Sequence, residues 1–191
     1  DKRGRNVQLE TAVRRNVMTG ITQTIHKINE DIEEELGCDG KEVSAHYGSR
    51  PTHAIHQGKQ YAFTRSDAKK FGVGYWGDVK DIWEEANCRH DVNGIILGVS
   101  EPRYSSKELR EMKDATVQLN GKEIPLYEAT QKQRALENQI RKLKKEANVL
   151  GSQGIDNQDT RAKIRITTKK LNQFCDETGL DRKYNREKIA S

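Results

Sequence analysis

Val13, Val17, Ile21, Ile25, Ile28, Ile32 and Leu36 recur at spacings of four and three, which lines them up on one face of a helix. The spacing predicts a long amphipathic helix over residues 7–36. Gly37 follows the last apolar position and suits the left-handed residue that closes a helix. A second repeat, Leu136, Ile140, Leu143, Ala147 and Leu150, steps by four, three, four and three, the seam of a coiled-coil-like helix. Ile164, Thr168, Leu171, Cys175 and Thr178 form a weaker stripe. Gly151 and Gly154 separate the two and Gly179 closes the last. Residues 128–150 and 158–178 therefore read as an antiparallel helical hairpin. The basic tail from Asp181 to Ser191 is either a final helix or a disordered end.

Between these helices the period changes. Lys41–His46 and Lys59–Phe63 alternate in short stretches and read as strands, and Asp81–Ala86 as one or two helical turns. Gly72–Gly77 is rich in glycine but lacks the Lys and Ser/Thr of a phosphate-binding loop, and is read as a plain loop. Ala115–Leu119 and Lys122–Tyr127 flank Asn120-Gly121, a pair suited to the positive backbone angles of a tight hairpin turn. Pro125 lacks a backbone donor, which places its strand at an edge. The expected fold class is α+β. A long N-terminal helix packs on a small, loop-rich, β-containing core over residues 1–102, and a β-hairpin and the basic helical hairpin follow over residues 103–191.

Composition supports an extended helical architecture, since only 33% of residues are hydrophobic and another 33% are charged, a balance suited to helices that bury one stripe. No apolar run is long enough to span a bilayer, and the N-terminus does not resemble a signal peptide, so a soluble chain with no membrane partner is expected. It opens on Asp1, as a fragment or processed piece would. The three cysteines, Cys38, Cys88 and Cys175, are odd in number and widely spaced, which argues against a disulfide framework and for a reducing compartment. Net charge is +5, and it is unevenly distributed. Residues 1–102 carry 14 Lys and Arg against 16 Asp and Glu, while residues 103–191 carry 20 against 13. The basic half is thus the one suited to an acidic partner such as nucleic acid.

Two groups of residues are candidates for chemistry. His46, Arg50, His53 and His56, then Asn87, Cys88, Arg89 and His90, concentrate reactive side chains in the middle segment. His46, His53, Cys88 and His90 carry nitrogen and sulfur donors of the kind that bind zinc, but their spacing follows no compact zinc-finger pattern. A buried polar node, hydrogen-bonding loop carbonyls, explains the same residues without a metal or other cofactor. A nucleophile built from Cys88 and His53 or His90 is chemically feasible, yet no flanking motif supplies an oxyanion hole. Tyr75, Trp76 and Trp83 suit base stacking but equally supply core volume. The second group, Lys132, Arg134, Arg141, Lys142, Lys144 and Lys145, opposes only Glu137 and Glu146 over residues 132–146. Such a stripe attracts phosphate without reading sequence, and a solvated helix face accounts for it as well.

Arg14–Gly20, Val43–His53, Gln57–Lys59 and Asn87–His90 resemble, in order, the pattern of phage minor capsid proteins. The similarity continues through Tyr127–Arg134, Glu137, Ile140–Lys144 and Phe174. The family is the second phage minor capsid protein family, similar to the Mu F-like head-morphogenesis domain. The resemblance implies a virion protein of few copies, assembled in the bacterial host cytoplasm with portal and other capsid proteins, and a role in head assembly, packaging or genome delivery. It implies a fold-organising role for His46, Arg50, His53, Gly58, Asn87, Cys88 and Arg89, and no catalytic residues. Some relatives of the Mu F-like domain carry extra cysteines in a zinc-like arrangement, where this chain has Arg50–His53 instead. The competing expectation is a metal- or thiol-dependent enzyme acting on nucleic acid or protein, with His46, His53, Cys88 and His90 meeting in an open cleft.

Overall fold

The computed structural model describes residues 9–83, 85 and 88–189; Asn87 of the predicted fold-organising set lies outside them. Internal contacts divide the chain into two units, Asp1–Met112 and Lys113–Ser191, a division later than the expected 102/103. The architecture is mixed α+β, with a long first helix, small sheets and a closing helical hairpin.

In the first unit, helix α1 (Leu9–Glu35) leads into strand β1 (Gly40–Val43). The short helix α2 (Pro51–Ala54), strand β2 (Gln60–Ala62) and helix α3 (Arg65–Phe71) follow. Next come strand β3 (Gly74–Tyr75), a 3-10 turn at Trp76–Asp78, helix α4 (Lys80–Trp83) and strand β4 (Val92–Ile95). The four strands form one sheet in the order β3-β2-β1-β4. β1 is antiparallel to both neighbours, while β3 joins β2 in parallel. Part of the predicted Gly72–Gly77 loop is therefore strand and part 3-10 turn. Its two-residue strand exists through pairing with β2, which no local periodicity reveals.

Successive residues of a strand face opposite sides, and β2 shows this directly. Tyr61 joins Val43, Val79, Trp83 and Val92 in one apolar cluster, whereas the adjacent Ala62 joins Ala68, Ile95 and Leu97 in another. The sheet is thus covered on both faces.

Helix α1 approaches this sheet by its polar face. Lys41, 6% exposed, meets Glu33 at 3.1 Å and Glu30 at 3.6 Å, and its Nζ lies 5.2 Å from the centre of the Trp76 ring. A buried ammonium is tolerable only when paired in this way. The apolar stripe faces elsewhere: Val13, Val17, Ile21, Ile25, Ile28 and Ile32 are each 47–55% exposed. The predicted amphipathic helix is present, but the residues turned to its own core include Thr22, His26, Asn29 and Glu33.

In the second unit, to which most of helix α5 (Ser106–Lys113) does not belong, strands β5 (Thr116–Leu119) and β6 (Lys122–Pro125) form the predicted hairpin. Asn120 and Gly121 have φ of 53° and 71° at its turn. Helices α6 (Leu126–Ser152) and α7 (Gln158–Thr178) match the expected hairpin. They run antiparallel: Thr160 near the start of α7 meets Glu146 near the end of α6, and Gln133 near the start of α6 meets Cys175. Ala129, Ile140, Leu171, Phe174 and Cys175 form the core, with Val117, Leu119 and Ile124 of the β-hairpin packed on it. The tail is ordered as a 3-10 turn at Tyr184–Glu187. Arg182 Nε and Nη2 donate to both oxygens of the buried Glu187, each at 2.7 Å, a bidentate fork.

Candidate functional site

Pro51 opens α2, where its missing N–H costs nothing, and Arg50 before it is extended with ψ of 144°. This one turn drives the His53 ring inward until it is 1% exposed. The chain then reaches Gln57, 4% exposed, and Gly58 at φ 65°. Gly58 N–H donates to the Val43 carbonyl at 2.9 Å, which fastens the loop to the end of β1. From the other side, the segment entering β4 brings Glu85, Cys88 and His90 to the same place.

Hydrogen bonds fix which imidazole nitrogens carry protons. The backbone N–H of His46 donates to Gln57 Oε1 at 2.9 Å, so that atom is the amide oxygen. His90 Nε2 lies 2.9 Å from the same oxygen and must donate to it. His90 Nδ1 is then a bare lone pair, and it stands 3.5 Å from Cys88 Sγ. His53 Nε2 lies 3.4 Å from the Glu85 carboxylate, which Arg50 also binds. Its Nδ1 is likewise left to face Cys88 Sγ, at 3.7 Å.

Burial dominates the electrostatics. It pushes His90 down to about 3, helped by the neighbouring His46, and lowers His53 as well. Both rings are therefore neutral near pH 7. Burial also raises the Cys88 thiol, against the lowering effect of backbone hydrogen bonds at His90 and of Arg50. A reactive thiolate is favoured by the opposite shift.

Three of the four predicted zinc candidates converge. The ligand atoms of His53, Cys88 and His90 lie within 4.8 Å of one another, the one such group among the described residues. His46 stays outside it: its ring lies 4.4 Å from that of His90, its Nδ1 contacts the Tyr47 carbonyl at 3.0 Å, and its Nε2 is buried without a hydrogen bond. Arg50 acts on Glu85, Gly58 shapes the loop, and Arg89 is exposed. Sequence reasoning gave no role to Gln57 and did not single out Glu85, the two residues that orient the rings. Gln57 was visible only as part of Gln57–Lys59. Trp83 is core and 2% exposed, and one face of the Tyr75 ring lies beneath the Arg65 guanidinium at 4.4 Å.

The six basic residues of α6 do not form a single open stripe. Arg134, Arg141 and Lys145 share a face by their spacing of seven and four. Lys132 pairs with Glu128 at 2.8 Å, Lys144 donates to the Glu187 carbonyl at 3.2 Å, and Lys142 is exposed. Arg161, Lys163, Arg165, Lys169 and Lys170 on α7 are all exposed and extend the basic surface beyond the predicted residues.

An α+β head with a half-exposed apolar helix face and a separate basic helical hairpin is built for contact with other macromolecules, the class of a structural interaction protein. The chain matches Phage minor capsid protein 2 over residues 1–176 and belongs to that family. It is accordingly a structural protein of the virion, whose partners are other phage structural proteins. No curated protein and no solved structure matches it. No helix among the described residues is long and apolar enough to cross a membrane.

Proposed function

We propose that the protein acts in phage head assembly, joining portal and other capsid proteins through the apolar face of α1 while the basic helical hairpin contacts packaged DNA. The observation that carries this reading is the α1 stripe. Six β-branched residues on one face of a long helix are left half exposed, while the same helix docks on its own sheet through polar residues. An exposed apolar surface on this scale marks a protein contact. Assembly takes place in the host cytoplasm, and the hairpin's excess of Lys and Arg favours a role in packaging or delivery of the genome.

Deleting residues 128–191 from the phage gene tests the role of the hairpin. Heads defective in assembly, packaging or infectivity are the expected result, and fully normal virions refute it.

A further inference from the structure

We propose that His53 Nδ1, Cys88 Sγ and His90 Nδ1 bind one zinc-class divalent cation, which fastens α2 to the segment leading into β4.

Donors and acceptors do not balance in this cluster. Gln57 and Glu85 each take the Nε2 proton of one ring, so two imidazole lone pairs point at a single sulfur. A thiol has one proton and satisfies at most one of them. The other nitrogen faces sulfur with no hydrogen between, inside a cluster where His53 is 1% and His90 6% exposed. A cation accepts all three donors at once, with Cys88 as thiolate.

The distances fit. With Zn–S near 2.3 Å and Zn–N near 2.0–2.1 Å, a tetrahedral centre separates sulfur from nitrogen by roughly 3.5–3.6 Å. The two observed separations are 3.5 and 3.7 Å. The surroundings also suit a metal, because a ligating imidazole usually donates its other N–H to a carboxylate or carbonyl, and that partner sets the ring's orientation. Glu85 and the Gln57 amide occupy those positions, and Arg50 holds Glu85 in turn. The Cys88 proton leaves on binding, so affinity rises with pH.

Three protein ligands leave the fourth tetrahedral position to an exogenous ligand. Cys88 and His90 line a pocket of about 140 Å³ whose other wall is Thr22, Ile25, His26 and Asn29 of α1, room enough for a water molecule.

The test uses the whole chain purified without chelator, its zinc content measured by elemental analysis, and then the metal-free chain titrated with cobalt(II). One zinc per chain is expected. Cobalt should give a thiolate-to-metal charge-transfer band that Cys88→Ser abolishes and that Cys38→Ser and Cys175→Ser retain. Metal removal should lower the Tm. Absence of stoichiometric zinc together with no such band in the unsubstituted chain overturns the proposal, whether or not any variant folds. A band that survives Cys88→Ser overturns it too. The readout is taken on the isolated chain and stands or falls independently of the role in head assembly.

Discussion

A Cβ built on Gly58 would fall 2.6 Å from Cδ2 of Leu109, on a backbone with φ of 65°. Both the positive angle and the close approach oppose any side chain. Gly58→Ala should destabilise the first unit by about 2 kcal/mol, read as a lower urea midpoint at unchanged slope; an unaltered midpoint would show that Leu109 moves freely aside. Tyr61 offers a pH test. Its hydroxyl is hydrogen-bonded with His56 Nδ1 at 2.7 Å, and burial pushes its pKa from 10.0 up to about 12. A folded pKa above the unfolded one means that the stabilisation is complete below pH 10 and is lost as pH rises from 10 toward 12. Between about pH 9 and about pH 11 the native chain should lose more stability than Tyr61→Phe does, and equal losses would contradict the assignment. At this scale the sequence was legible in residue types and mute about direction. His53, Cys88 and His90 stand out by chemistry, but their meeting depends on a sheet that brings residues 35 positions apart together. Gln57 and Glu85 look ordinary until the protons of the two rings are assigned.

The long helices were the legible elements, because a repeat sustained over twenty or more residues is a strong signal of period. The hairpin was legible through Asn120-Gly121. β3 and β4 were not: one has two residues, the other contains Asn93-Gly94, and both exist through pairing partners. Periodicity also reveals that α1 has an apolar face without saying what covers it. The buried Lys41 decides the docking face instead, by drawing Glu33 and Glu30 to the sheet. Ile21→Gln with Ile28→Gln should therefore leave the isolated chain's stability within about 0.5 kcal/mol per site, yet reduce its incorporation into particles, scored by quantitative mass spectrometry of purified heads. A large loss of intrinsic stability would mean that the stripe serves this chain's own fold. In the second unit, Glu187→Ala strips the partner from a guanidinium that is 16% exposed. About 2 kcal/mol of destabilisation is expected, measured as a fall in Tm.

At the scale of the molecule, charge and apolar surface are segregated. The first unit presents the α1 stripe, and the second carries the exposed cations of α6 and α7. This segregation is what composition by halves captured, and the proposed protein contacts of the first unit and phosphate contacts of the second both rest on it. Duplex DNA should bind the chain without sequence preference, and affinity should fall with a log–log salt slope of roughly −0.9 per phosphate contact. Arg161→Glu with Arg165→Glu should flatten that slope in a fluorescence-anisotropy titration, whereas an unchanged slope would move the contact off α7. A role in head assembly can be checked by locating the chain in purified, DNA-filled particles with an electron-dense label. A small fixed number of copies beside the portal vertex is expected; particles that form normally and contain none would rule the role out.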